Sequence, residues 1–208
     1  MTARVLAASD PSAVESAIEA LERGDLVGIP TETVYGVCAL PTTEAVSRLI
    51  DAKQRSAEKG IQLLVDSLAQ VRSLAVVTRA AEQLADRFWP GAITLILERR
   101  AGIDLTELLG GGRPTLGLRL PDHNIPRLLA RRLGPIAASS ANVSGQPDAT
   151  TAAFVAAALG DLLALILDDG PVRGGTPSTV VDCSDPTAPV RILREGAIST
   201  ADIAAALR

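Results

Sequence analysis

The segment KQRSAEKG sets Lys53, Arg55 and Lys59 within seven residues, and Gly60 closes it before an apolar run begins. Three cations so spaced suit a polyphosphate, because an arginine fork grips two oxygens at once and a lysine acts as a point charge. The same charges also suit a solvated helix end, where basic residues complement the backbone dipole. Usage weighs on the choice. Of the 20 basic residues only Lys53 and Lys59 are lysine, so a strong preference for arginine is overridden twice in one segment.

A second group lies in PIAASSANVSGQPDAT, where an apolar run ends in Ser139, Ser140, Asn142 and Ser144. Neutral donors and acceptors gathered at a strand end are what a nucleotide or an amino acid needs. Any one of them could simply cap its own loop, but four in six residues, including one of only two asparagines, favour a site. In GLRLPDH, Arg119 sits inside an apolar strand, so it must be paired or face a cleft. Carboxylate binding and a structural salt bridge both remain open. His123 reads as a residue entering a helix rather than as a base or ligand. Ser178 and Thr179 start a strand in GGTPSTVVDC, and Arg194 precedes a turn in ILREG; alone, each is a weak signal. In GIPTETVYGV, a buried strand runs out into Thr31, Glu32 and Thr33, followed by the only tyrosine, Tyr35, whose ring either closes a pocket wall or packs under the loop.

What is missing narrows the chemistry. The chain has neither a Walker-type nor a Rossmann glycine cradle and no nucleophile elbow. Its two cysteines, Cys38 and Cys183, and one histidine are too few for a zinc site, and free buried thiols are expected. A net charge of −4 argues against broad electrostatic binding of nucleic acid. With no secretory signal or apolar run of membrane-spanning length, a cytoplasmic protein without a membrane partner is expected.

The elements that must position these residues follow from spacing. Asp10-Pro11 starts a helix ending at Gly24; DLVGIP is a strand; TTEAVSRLIDAKQR is a helix capped by Thr42 or Thr43. IQLLV and AITLILER are strands around a helix from about Arg79 to Phe88. GLRLP and PIAAS flank a helix over 124–133, another helix covers 151–159, and LALILDD, STVVDC and VRILR precede a short terminal helix. Seven or more strands with five or six helices indicate one α/β domain over 1–208, its core at about 10–200, built on a twisted mixed sheet flanked by helices with a concave substrate cleft. LLGGGRP, residues 108–114, reads as the most flexible loop.

Taken in order, PTETVYGV, KQRSAEKG, WPGAITLIL, GLRLPDH, PIAASSANVSG, PSTVVDC and ILREGAI resemble the sequence blocks of the YrdC family of threonylcarbamoyl-AMP synthases. Seven collinear blocks, from about residue 10 to the C-terminus, are far more specific than any one of them. The resemblance implies a YrdC-like fold and a nucleotidyltransferase that makes L-threonylcarbamoyladenylate from L-threonine, bicarbonate and ATP. Pyrophosphate is released, Mg2+ accompanies the ATP, and no zinc or organic cofactor is held by the protein. The product would supply the machinery that makes N6-threonylcarbamoyladenosine at tRNA position 37.

By the same resemblance Lys53 and Arg55 are the catalytic residues, and Thr33, Arg119, Ser140 and Ser178 bind threonine. Arg55, Lys59, Thr115, Asn142, Thr150 and Arg194 bind the nucleotide. Some family members carry a histidine where this chain has Leu64 or a neighbour, so that contact is expected to be absent or replaced. The chain resembles the short, single-domain form, without the C-terminal domain of longer relatives. Alternatives are a double-stranded RNA-binding or ribosome-maturation module on the same fold, with direct RNA contact, or a paralogue adenylating another carbamoyl acceptor.

Overall fold

The computed structural model describes residues 3–208. Its elements are β1 (Arg4–Ala7), α1 (Pro11–Glu22), β2 (Val27–Ile29), β3 (Gly36–Ala39), α2 (Thr43–Ala52), β4 (Gln62–Leu64), α3 (Leu68–Leu74), β5 (Ala75–Val76) and α4 (Arg79–Phe88). There follow β6 (Ile93–Arg99), β7 (Thr115–Arg119), α5 (Asn124–Leu133), β8 (Ile136–Ser140), α6 (Ala152–Leu159), β9 (Leu165–Asp168), β10 (Thr179–Asp182), β11 (Arg191–Arg194) and α7 (Thr200–Ala206). Ten strands form one mixed sheet in the order β1-β9-β2-β3-β8-β4-β7-β6-β10-β11, and β5 pairs with the far end of β6.

Helix starts follow the sequence cues. Asp10 caps α1 by accepting from Ser12 N, with Pro11 at the first helical position, and Thr42 rather than Thr43 caps α2 by accepting from Ala45 N. Alternation along the strands sorts side chains between two apolar layers. Ile166, Val37, Ala137, Leu63, Leu118 and Leu95 belong to one layer, with the buried sides of α2, α4 and α6. Leu165, Leu167, Val27, Ile29, Cys38, Ala138 and Leu64 face the other, under α1 and α5.

That second face divides the molecule functionally. Over β9, β2, β3 and β8 it is covered by apolar side chains of α1 and α5. Over β4, β7, β6 and β10 the same face carries Gln62, Gly117, Arg119, Thr94 and Val180 instead. Polar side chains on a sheet face mean that the face is not closed by an apolar layer, and the loop after β2 and the segment just before β10 meet these side chains there.

Three sequence expectations need correction. LLGGGRP is not a slack loop: residues 107–110 form a 3-10 turn, and Gly110 and Gly111 press against backbone. A Cβ on Gly111, whose φ is +62°, would stand 2.3 Å from Glu58 O, so only glycine fits between this turn and the basic segment. Three of the eleven strands are also not among those named from spacing, because β1 and β5 are short edge pieces with exposed residues and β3, GVCA, has no β-branched run. Finally α3, a seven-residue helix capped by Ser67, is too short to show a helical period.

Candidate active site

The basic segment is fixed at both ends. Lys53 ends α2, Gln54 turns the chain at φ +48°, and residues 57–59 form a 3-10 turn before Gly60 at φ +59°. The Lys53 ammonium does not project into solvent. It is 2% exposed and donates to the carbonyls of Ser140 and Asn142 and, at 2.9 Å, to Asn142 Oδ1. Ser140 Oγ also donates to Asn142 Oδ1 at 2.6 Å, the Asn142 amide donates to Gln146 O at 2.6 Å, and Ser144 N donates to Lys53 O at 3.0 Å. Lys53 thus staples the end of α2 to the end of β8, and the two polar segments singled out in the sequence form one corner.

Arg55 and Lys59 differ from it. Arg55 donates from Nη2 to Lys59 O at 3.1 Å, while its buried Nε has no hydrogen-bond partner among the described residues. Lys59 is exposed at the rim.

Arg119, 3% exposed, reaches from the end of β7 to the loop between β2 and β3. Its Nη2 donates to Glu32 Oε1 at 2.7 Å and to Thr33 Oγ1 at 2.9 Å, and its Nε to Gly91 O at 3.1 Å. The salt-bridge reading is therefore realised, with Glu32 as partner, yet Glu32 Oε2 is buried without a partner. Thr33 Oγ1 also lies 2.9 Å from Thr31 Oγ1, whose hydroxyl donates to Val34 O at 2.6 Å. Thr33 accordingly donates to Thr31 and accepts from Arg119.

Ser178 lies beneath Arg194. Arg194 Nη2 donates to Ser178 O at 2.7 Å and approaches Ser178 Oγ at 3.4 Å. Ser178 Oγ in turn meets Thr94 Oγ1 at 2.9 Å, and Thr94 Oγ1 donates to Gln62 Oε1 at 2.8 Å. Sequence reasoning missed Thr94 and Gln62. Their signal was a polar residue on the inward period of two apolar strands.

Four cations face one another across this half of the sheet. Desolvation pushes Lys53 down to about 8, with the Arg55 charge adding to it and Asp148 opposing. Arg55 is lowered by desolvation and then by Arg194. Arg194 is lowered by desolvation, against the pull of Asp148, and by Arg119. Like charges that depress one another leave an electropositive cleft with two carboxylates nearby, Glu32 and Asp148, the first already held by Arg119.

Other expected residues are placed differently. Thr115 starts β7 four residues before Arg119, about 13 Å along the strand, opposite Glu98 and against the Gly110 turn; its recorded contacts do not bring it to the cations. Thr150 is exposed, and its carbonyl accepts from Val172 N at 3.0 Å. Tyr35, fully buried, packs under a loop: its hydroxyl donates to Gly170 O at 2.7 Å and accepts from Asp169 N at 3.2 Å, and desolvation raises it to about 12. His123 caps α5, its Nδ1 accepting from Ile125 N at 3.2 Å while Nε2 lies 3.2 Å from Asp169. Desolvation lowers it, so it stays neutral and structural. Cys38 and Cys183 are free and buried, and desolvation pushes both thiols up. Among the described residues no helix is long and apolar enough to cross a membrane, and no group of His, Cys, Asp or Glu is arranged to hold a metal.

A family model, Sua5_yciO_yrdC, described as "Telomere recombination", matches residues 19–196. A threonylcarbamoyl-AMP synthase of Bacillus subtilis is 38% identical over 205 residues, 97% of this chain and 58% of that protein. A putative threonylcarbamoyl-AMP synthase of Mycobacterium leprae is 38% identical over 196 residues, 93% of this chain and 87% of that one. Among solved structures, Pyrococcus abyssi Sua5 complexed with L-threonine superposes with a TM-score of 0.88 at 36% identity, covering 95% of this chain and 58% of the other. The chain thus spans less than two thirds of the Bacillus and Pyrococcus proteins.

Proposed function

Because the chain belongs to the Sua5/YciO/YrdC family, we propose that its cleft makes L-threonylcarbamoyladenylate from L-threonine, bicarbonate and ATP, releasing pyrophosphate. The observation that carries this is the row of cations Lys53, Arg55, Arg194 and Arg119 beside the polar half of the sheet, where Lys53, Arg55 and Arg194 are each lowered first by burial and then by a neighbouring cation. Such a group suits a ligand with several negative charges. Arg119 and Lys53 are buried, so they offer none of the broad exposed charge that a duplex backbone needs, and the nucleotide reading is favoured over RNA binding.

In this reading the threonine amine attacks the carbon of bicarbonate, a C–O bond breaks, the departing hydroxide takes the amine's proton and leaves as water, and a carbamate forms. A carbamate oxygen then attacks the α-phosphorus while the bond to the β-phosphate breaks and pyrophosphate leaves. Both steps bring anions together, so the residues lower the barrier by neutralising and aligning charge. Arg119, with Thr33, holds the threonine carboxylate beside the Ser140 corner. Arg55, Lys59 and Arg194 take the phosphates, and the Ser140–Asn142 corner, stapled by Lys53, takes the nucleoside side. Magnesium bound with the nucleotide would supply further charge neutralisation, and Asp148, beside Lys53 and Arg194, is a carboxylate that would help to hold it. The product is an acyl-adenylate consumed by a threonylcarbamoyl-transferring step on tRNA.

Purified protein given ATP, bicarbonate and labelled threonine should release pyrophosphate only when all three are present. Release that ignores threonine would refute the substrate assignment.

A further inference from the structure

The open half of the sheet carries a directed line of hydrogen bonds. Gln62 on β4 and Thr94 on β6 are separated by β7 and offset by two residues along it, Gln62 standing beside Gly117 and Thr94 beside Arg119, which puts them about 12 Å apart at the backbone. Their side chains meet because the residue between them is Gly117. A Cβ there would lie 3.6 Å from Gln62 Cβ, 3.6 Å from Thr94 Cγ2 and 3.2 Å from Ile96 Cδ1. Gln62 Oε1, Thr94 Oγ1, Ser178 Oγ and Arg194 Nη2 then follow at 2.8, 2.9 and 3.4 Å, and Arg194 also grips Ser178 O at 2.7 Å.

The direction of this line is set by its acceptor end. Gln62 Oε1 only accepts, so the Thr94 proton goes to it. The Ser178 proton then goes to Thr94 Oγ1, which leaves a Ser178 Oγ lone pair for the guanidinium, a donor only. Were the last group a donor or apolar, Thr94 would be free to donate to Ser178, and the Ser178 proton would lose its acceptor beside the guanidinium. Thr94 and Ser178 are each 2% exposed, so water has little access to replace a missing link.

We propose that Gln62 and Thr94 are positioning residues for Arg194, acting through Ser178 to hold its guanidinium over the anion cleft. They touch no ligand. The proposal rests on the cleft's taking a polyphosphate, and it refines the threonine-binding assignment of Ser178: that residue's hydroxyl is committed to Arg194 and Thr94.

Calorimetric titration with inorganic pyrophosphate tests it, using Thr94→Val, which keeps the shape and removes the hydroxyl, Gln62→Leu, Thr94→Ser and Arg194→Ala, alone and combined. Thr94→Val and Gln62→Leu should each weaken binding by about threefold to tenfold, the range for one lost neutral hydrogen bond, while Thr94→Ser retains affinity. In the Arg194→Ala background neither should weaken it further. Additive losses, or equal losses in Thr94→Ser and Thr94→Val, would overturn the relay. A crystal structure of Thr94→Val decides independently: the guanidinium should keep Ser178 O but turn away from Ser178 Oγ, and an unchanged contact with Ser178 Oγ overturns the proposal. If Arg194→Ala binds pyrophosphate as well as the wild type, it is the polyphosphate reading that fails, and the relay is judged on that crystal structure.

Discussion

Replacing Lys53 by Met separates two tasks that the sequence could not. An exposed cation facing phosphate could be lost with little effect on folding. In the structure the ammonium is enclosed and serves two main-chain carbonyls and Asn142 Oδ1, so its loss strands the Ser140 and Asn142 carbonyls at the end of β8. Asn142 Oδ1 keeps its bond from Ser140 Oγ. A buried acceptor left without a donor costs about 1–3 kcal/mol, and methionine nearly refills the volume, which keeps the cavity contribution small. The desolvation that Lys53 suffers works the other way and trims the sum. A net loss of about 3 kcal/mol is expected, and for a chain of this length that is about 6–12 °C in Tm.

Differential scanning calorimetry beside threonine-dependent pyrophosphate release reads both tasks. Its pH dependence gives a further check. The unfolded chain keeps this lysine protonated up to its ordinary 10.5, whereas the folded chain gives the proton up at about 8. Between those values the unfolded state binds more protons, so wild-type stability gains as pH rises, and Lys53→Met lacks that gain. The gap between the two proteins should widen from about pH 8 upward. A variant that melts within about 2 °C of the wild type while losing all activity would refute the brace and leave a purely ligand-facing lysine.

Glu32→Gln should destabilise the fold by about 1–3 kcal/mol, since Arg119 loses its counter-ion but keeps an amide acceptor, and should tighten threonine binding up to about tenfold, since a charge competing for Arg119 is gone; weaker binding in calorimetry would refute the competition. Gly111→Ala should lower stability by about 2 kcal/mol or more, from a positive φ and a Cβ against Glu58 O, and weaken pyrophosphate binding at Arg55 and Lys59; an unchanged melting curve would refute the packing of this turn.

The parts of the site legible in the sequence were those whose oddity was local. Two lysines in a lysine-poor chain, an arginine inside an apolar strand and a cluster of hydroxyls with a rare asparagine each broke a local rule, and the structure sets them on one open stretch of sheet. What sequence could not give was who partners whom. Lys53 reads the same whether it points to solvent or into β8, because the carbonyls that hold it lie 87 and 89 residues away. Arg119 reads the same whether paired or waiting for a ligand, because Glu32 approaches it only when the loop after β2 lies against β7. Tyr35 and His123 looked like candidates because they are single of their kind, but rarity does not distinguish a loop anchor from a ligand.

The fold explains why one half of a single sheet face became a site. Helices α1 and α5 bury that face over β9, β2, β3 and β8, which accordingly turn Val, Ile, Leu, Cys and Ala toward them. Beyond Leu64 on β4 their cover ends, and the same alternation that would have supplied core residues supplies Gln62, Gly117, Thr94 and Arg119. Polar groups on an uncovered face need partners, and they find them in one another and in the loops after β2, β8 and β10. The buried apolar layer on the opposite face keeps these strands rigid. The cations are therefore held close together before any ligand arrives, against their mutual repulsion, and a bound polyphosphate would relieve that repulsion in all of them at once.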